Sequence, residues 1–398
     1  MKNLKIKNFG RIKKGNINFG DLTVFVGPQA TGKTLVLELI KLVKDCEYIL
    51  WNFYTNGFIW WEFSEFLNLY YGEGLYNIWR LDTKIFYNDQ EISFNEDTYS
   101  YNYIRNKYKK EIFHKLPKKY VYYIPAQRIL TIENGFPKNF QNYERLTPYV
   151  LKEFSEYLRS FLDIIVDVLI ENNEYNTNRV EVYPLELKRL TKIDFSSILK
   201  NIFLNLKLEV SEKNFRKRLI LNLNGIDLPF MSWSSGQKEF IPLFLAFINL
   251  IVEREKKTII IEEPEMGLHP KALETVLIMI LYLMYLDYKV VISTHSADVL
   301  ELIWALKNIK ESNIDDNRKI NLLNKLFELN TKEFNKIWEK VLKKNYKTYY
   351  FEPVEENVFI RDISDLDPFE DKAISEWGGL ISFSTKVSDI LSELPYEE

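Results

Sequence analysis

GPQATGKT, residues 27–34, decides the fold. It fits G-x-x-x-x-G-K-[ST], and its surroundings suit a phosphate-binding loop: LTVFV (22–26) reads as a buried strand before it, and the Leu- and Ile-rich run from Lys33 to about Val43 reads as a helix after it. Gly27 and Gly32 free the backbone to turn the N–H groups around Gln29, Ala30 and Thr31 toward phosphate oxygens, and the helix N-terminus adds partial positive charge. In that arrangement Lys33 reaches the β- and γ-phosphates and Thr34 holds Mg²⁺. The plain alternative is an ordinary glycine-rich turn.

Working outward, TIIIEE (258–263) and KVVIST (289–294) are nearly continuous apolar runs ending in polar residues, as strands covered on both faces should be. Pro270 opens a helix between them, at the position where a missing N–H costs least, and the three elements form a βαβ unit. Open α/β sheets place ligands at the C-terminal ends of such strands. Glu262 is therefore the candidate metal-side carboxylate, acting through water, and Glu263 the candidate that orients an attacking water; a solvated acidic pair is the plain alternative. His295, one of 3 histidines in the chain, lies just past the second strand, where it would bond a γ-phosphate or merely sit on the surface. WSSGQKEF (233–240) places a polar turn directly before an apolar helix, and by itself reads as a serine-rich helix cap.

The chain of 398 residues is 46% hydrophobic and 15% aromatic, enough for a large core. Its 53 basic and 56 acidic residues give a net charge of −3, so no global positive field points to nucleic acid. The single cysteine, Cys46, excludes an internal disulfide and a cysteine metal site, and the start MKNLKIKNFG has no apolar signal core; a cytoplasmic location is expected. The longest apolar runs, Val276–Leu286 and the helix after Phe240, read as too short or too interrupted to span a membrane, so no membrane partner is expected. Residues 46–119 are an aromatic, Asn-rich texture without sustained helical period, and WNFYTNGFIWWEFSEFLNLYY (51–71) reads as the core of an insertion or as a partner surface. Residues 318–344 read as one or two amphipathic helices with Leu322, Leu323, Leu326, Phe327, Ile337, Trp338 and Val341 facing inward.

The phosphate loop, the S-x-G-Q turn, the strand ending in Glu-Glu and the strand ending in His, in this order, resemble the ABC-type ATPases. WSSGQ is similar to that family's signature, usually LSGGQ, with Trp233 for Leu and Ser235 for the first Gly. The resemblance implies an ATP-sandwich dimer, with a higher assembly open, in which Ser234, Gly236 and Gln237 of one subunit contact the ATP bound to the other. EEPEMGLHP (262–270), the N-terminal LKIKNFGRIKKGNINFGDLTVFVGP and YIPAQR (123–128) are similar to the SMC, RecF and overcoming-lysogenization-defect branch, in which Gln127 would take the Q-loop role. Glu262 stands where that branch usually has Asp.

The expected fold class is α/β, an ABC-type P-loop NTPase head with a mixed and parallel sheet core and helical, aromatic insertions. The expected core is 1–45, 118–130 and 219–305; residues 46–117 and 131–218 are insertions forming a lid, dimer or partner surface; residues 306–398 are a helical and α/β extension packing on the core. GPQATGKT, YIPAQRIL, EEPEMGLHP and EWGGLISFS (376–384) further resemble the ATPase subunits of anti-phage systems, PARIS first, then OLD-like and Septu ATPases. That implies Mg²⁺- and ATP-dependent hydrolysis with catalytic Glu263, His295 and Gln127, coupled to a separate effector, a nuclease or toxin. A DNA-repair or chromosome-maintenance ATPase is the alternative, and a transporter ATPase a further one. DNA is an open partner: Arg105, Lys107, Lys109, Lys110, Lys115, Lys118 and Lys119 form a basic run that reads as a phosphate grip or a solvated face. Asp365 and Asp367 form a D-x-D that reads as an acidic turn or as part of a nuclease metal site.

Overall fold

The computed structural model describes residues 2–93, 99–110, 117–171, 179–183, 195–203, 206–213, 216–255, 258–329 and 331–365. Lys115, the side chains of Lys109 and Lys110, Asp367 and the stretch 376–384 lie outside the described residues. In chain order the N-terminal strands are β1 (Asn3–Phe9), β2 (Ile12–Asn18), β3 (Leu22–Val26), β4 (Trp79–Tyr87), β5 (Gln90–Ile92) and β6 (Val121–Ile124). The short β7 (Ile132–Glu133) and β8 (Phe136–Pro137) precede β9 (Arg179–Tyr183), β10 (Lys207–Lys213), β11 (Arg216–Leu223) and β12 (Ile226–Pro229). The last four are β13 (Thr258–Glu262), β14 (Lys289–Thr294), β15 (Tyr346–Val354) and β16 (Asn357–Asp362).

One 10-stranded sheet runs β5-β4-β1-β2-β16-β15-β3-β14-β13-β6, and a 4-stranded sheet runs β12-β11-β10-β9. The stretch from β15 through β6 is parallel throughout, whereas β4, β1 and β2 pair antiparallel. The chain is thus α/β with a mixed sheet whose centre is parallel. Burial on both faces explains the apolar runs. Ile259, Ile261, Val290, Ile292 and Val24 enter one core; Ile260, Val291 and Phe25, at the alternate positions, enter the other.

The helix Lys33–Thr55 covers the second face. The helices Tyr149–Glu171, Ser235–Glu253 and Pro270–Tyr285 cover the first. The helix Ser235–Glu253 is, contrary to the expectation of an interrupted run, continuous through Pro242 and long and apolar enough to cross a membrane, with 72% of its apolar window buried inside the protein. Its residues Phe240, Phe244 and Phe247 form core contacts, which accounts for the hydropathy.

Strand membership departs from the linear division of the sequence. The helix Lys33–Thr55 passes through residue 45, where Asp45 is non-helical (φ −112°, ψ 18°). Its carboxylate accepts from Tyr120 N at 2.8 Å and Val121 N at 3.1 Å, so the break clamps the helix to the start of β6. Residues 46–117 contribute the edge strands β4 and β5, and β9 and β10 pair into the sheet with β11 and β12. Residues 346–362 enter the sheet itself between β2 and β3. The aromatic block is core: Trp60, Phe66, Tyr70 and Tyr71 are buried, while Trp61 is exposed.

Two amphipathic helices, Asp316–Leu326 and Lys332–Val341, occupy the C-terminal region. Leu323, Ile337, Trp338 and Val341 face inward as expected, but Leu322 and Leu326 are 38% and 49% exposed, because the first helix offers only one narrow face to the core. Lys119 is also turned inward, against the reading of a surface phosphate grip. It pairs with Glu153 at 3.1 Å and lies 3.7 Å from the Tyr157 ring centroid. Lys107 pairs with Glu47 at 2.9 Å.

Candidate nucleotide site

β3 delivers the chain to Gly27, whose φ of 143° and tight seat against Phe351 admit no side chain: a Cβ there would lie 2.8 Å from the Phe351 carbonyl oxygen. Gly32 (φ 86°) and Ala30 (φ 59°) are also left-handed, the alternation that turns successive N–H groups to one side. Thr31 Oγ1 donates to Pro28 O at 2.8 Å and closes the loop. Lys33 Nζ donates to Gly27 O and Pro28 O, both at 2.8 Å, so its ammonium is held against the loop it would serve. Burial holds the Lys33 pKa down to about 8, against the opposing pull of Glu263 and Glu265.

Glu262 ends β13 and is buried; its Oε2 accepts from Ala126 N at 3.1 Å. Burial raises its pKa, while the Thr34 hydroxyl and Ala126 N–H work in the other direction. Its Oε1 is buried without a hydrogen-bond partner among the described residues. A buried carboxylate oxygen with the hydroxyls of Thr34 and Tyr123 beside it fits a hard cation that prefers oxygen ligands. Among the described residues no group of three or more His, Cys, Asp or Glu could hold a metal ion alone. That suits Mg²⁺, which is usually bound through one or two carboxylates together with substrate phosphates and water.

Glu263 follows with φ 40°, a strained value for a residue with a side chain, and its N–H donates to Ser293 O at 3.0 Å. This turn brings its Oε1 to 3.2 Å from His295 Nε2. The His295 hydrogen bond, above all, holds the Glu263 carboxyl below its ordinary pKa. The structure thus gathers Lys33, Thr34, Glu262, Glu263 and His295 at the C-terminal ends of β3, β13 and β14. Gln127 follows β6, exposed, its carbonyl accepting from Leu130 N at 3.2 Å.

Three further residues complete the site. Glu265 Oε1 accepts from Thr294 Oγ1 at 2.9 Å and from His295 N, tying the loop after β13 to the end of β14. Arg128 is fully buried and donates to the carbonyl oxygens of Glu262 (3.0 Å), Pro125 (3.3 Å), Glu263 (3.4 Å) and Glu239 (3.4 Å). Burial lowers its pKa, and Glu239, Glu265, Glu262 and Glu263 oppose that. Glu239 belongs to the helix after WSSGQ, so one guanidinium joins that helix to the acidic strand end. The signal for Arg128 stood beside Gln127 in YIPAQR, and that for Glu265 in EEPE, but neither shows its partners in sequence.

The WSSGQ turn is a capping box. Ser234 Oγ accepts from Gln237 N at 3.2 Å, and Gln237 Oε1 accepts from Ser234 N at 3.1 Å. Trp233 is buried, with Nε1 donating to Leu228 O at 2.9 Å, so the bulkier residue anchors the turn. Ser234 and Ser235 are exposed. Among the described residues no hydrogen bond joins Ser234, Gly236 or Gln237 to residues 27–34 of the same chain. The helix leans instead on the loop after β13: Gly267 has φ 70°, and a Cβ there would lie 2.8 Å from Glu239 Cγ.

Among solved structures, the SMC head domain from Thermotoga maritima aligns at 12% identity, covering 91% of this chain and 98% of that one, with TM-score 0.35. An SMC head bound to the C-terminal winged-helix domain of ScpA aligns at 12% identity over 94% of this chain and 99% of the other, with TM-score 0.42. A dimeric ATP-binding cassette bound to ADP and Pi in a post-hydrolysis state aligns at 13% identity over 74% and 89%, with TM-score 0.33. No curated protein matches the chain in sequence. The profile of a family described as "AAA domain, putative AbiEii toxin, Type IV TA system" matches residues 22–301, from β3 into the helix after His295. That span holds every site residue assembled above, and the chain belongs to this AAA-domain family.

Proposed function

We propose that the protein is a Mg²⁺- and ATP-dependent switch that hydrolyses ATP, dimerises around it and controls a separate effector polypeptide in anti-phage defence. The observation that carries the reading is the unpartnered Glu262 oxygen beside Thr34, next to the Glu263–His295 pair and the buried Lys33. Thr34 and Glu262 would hold Mg²⁺, which would supply neutralising positive charge to the phosphates. Lys33 exchanges the Gly27 and Pro28 carbonyls for the β- and γ-phosphates. Glu263, kept ionised, orients the attacking water, and His295 donates to the γ-phosphate. Catalysis comes from positioning and charge, with little covalent work for the chain.

The exposed Ser234 at a helix N-terminus supports a contact made across a dimer, where its hydroxyl and neighbouring N–H groups can meet the partner's phosphates. The family description, a toxin of a toxin–antitoxin system, supports a role alongside a second polypeptide. Light scattering of Glu263→Gln with and without Mg-ATP, repeated with Ser234→Arg added, tests the reading. Dimerisation that requires ATP and disappears with Ser234→Arg is expected. Retention of nucleotide binding and turnover by Lys33→Ala would refute the reading at its base.

A further inference from the structure

The helices Pro270–Tyr285 and Ala297–Glu311 start directly after the two loops that carry Glu263 and His295. These helices, from their first turns at Pro270 and Asp298, and the end of the helix Asp316–Leu326 enclose an open groove of ≈ 510 Å³. Its floor is apolar, formed by Leu273, Leu277, Leu302 and Phe327. Two large apolar side chains stand at its lip, Trp304 at 40% and Leu326 at 49% exposure. Glu274, Asp298 and Glu301 line the same groove and are exposed.

Asp287, nearby in sequence, has Lys340 and Lys344 at 2.8 Å each. Among the described residues, none of Glu274, Asp298 and Glu301 enters an ion pair. Asp298 and Glu301 are moreover like charges at i, i+3 on one helix, an arrangement that costs a helix a few tenths of a kcal/mol. An apolar trough bordered by uncompensated negative charge is the complement of an amphipathic helix whose apolar stripe is bordered by Lys and Arg. Its volume suits a small number of apolar anchors at i, i+3 or i+4, and i+7.

We propose that this groove is a docking site for a Lys- and Arg-flanked amphipathic helix of a second polypeptide. The inference rests on the proposed function only in taking the effector to be a separate chain; the docking chemistry does not depend on nucleotide. Residues 366–398 of the chain itself do not match the groove's charge, since they carry eight Asp and Glu against two Lys. A helix bound here would rest on the two elements that continue from Glu263 and His295, so occupancy and nucleotide state would bias one another.

Fluorescence anisotropy on the full chain, without nucleotide, tests the proposal. The probe is a labelled helical peptide with Leu at i, i+4 and i+7 flanked by Lys, compared with the same peptide flanked by Glu. Saturable binding of the Lys peptide alone is expected, weakened about tenfold or more by Glu274→Lys with Glu301→Lys, which should in turn capture the Glu peptide. Ala305→Phe, which fills the groove without adding charge, should abolish binding of both. Equal binding of the two peptides, or binding unaffected by Ala305→Phe, overturns the proposal. So does a change in mass of the chain with these variants and no peptide binding, which would make the groove a contact between copies. ATP binding measured on the same variants keeps this result separate from the nucleotide reading: loss of peptide binding with ATP binding intact isolates the groove.

Discussion

Replacing Arg128 by Met removes the one buried cation that spans the acidic strand end and the helix after WSSGQ. The guanidinium serves carbonyls of Glu262, Pro125, Glu263 and Glu239 at 3.0–3.4 Å. Of these, Glu263 O keeps a second donor, Met266 N at 3.0 Å, and Glu239 O keeps its place in the helix ladder. Each buried acceptor left unsatisfied costs about 1–3 kcal/mol, and the longer bonds fall at the low end. The charge of Glu239 and Glu265, each with a buried Oε2 lacking a hydrogen-bond partner among the described residues, would also lose its compensating cation. Breaking a buried charged contact in this way costs about 3–5 kcal/mol, which we take as the total.

Urea unfolding followed by tryptophan fluorescence should therefore show a midpoint well below that of the parent chain. Because the Glu262 and Glu263 backbone is what Arg128 fixes, ATP turnover should fall about 100-fold, as a displacement of about 1 Å at a reacting group does. Arg128→Lys should retain part of both, since an ammonium reaches fewer carbonyls than the fork. A stability loss under about 1 kcal/mol with full turnover would refute the argument that this guanidinium organises the site.

Lys33 sets a pH dependence. Its folded pKa near 8 lies below the ordinary lysine value, so the folded chain binds less proton than the unfolded one between about pH 8 and 10.5, and this group's contribution to stability rises with pH across that window. Nucleotide binding selects the charged form. Calorimetry in two buffers of different ionisation enthalpy should show proton uptake on binding above pH 8 and little at pH 7; no uptake at pH 9 would place the phosphates away from Lys33. Gly267→Ala must adopt φ 70° and displace Glu239, whereas Gly57→Ala must adopt φ 78° in open space. The second should cost about 1–2 kcal/mol by thermal unfolding and the first clearly more; equal losses would mean that Glu239 yields freely.

The elements legible in sequence were those whose signal is local. GPQATGKT, TIIIEE and KVVIST each carry strand, turn or helix information within a few residues, and the sheet places their ends side by side. The Ser234 cap was legible for the same reason, since Gln237 lies only three residues on. What escaped depends on distant partners. Arg128 is one charged residue in YIPAQR until the fold packs Glu239 and Glu262 against it. The sheet position of β15 escaped because YKTYYFEPV has to find β3, more than 300 residues earlier, and nothing within it names that neighbour. Lys119 read as surface charge because its burial rests on Glu153 and Tyr157, both from another helix. Leu322 and Leu326 read as inward because helical spacing reports a stripe but not which part of it finds a core.

Placing β15 beside β3 has a consequence for how the protein comes to be made. Phe351 forms the wall against which Gly27 turns, so the phosphate loop lacks that wall while only the first part of the chain has left the ribosome. At about 5–20 residues per second, the wait between the two runs to roughly 15–65 s. Through that interval β3 keeps an unsatisfied edge, the kind of surface that recruits stray strands. A message cut short before residue 346 would yield a polypeptide that carries the whole GPQATGKT sequence but lacks the strand that shapes it. Competence for ATP would then mark a chain translated at least as far as β15.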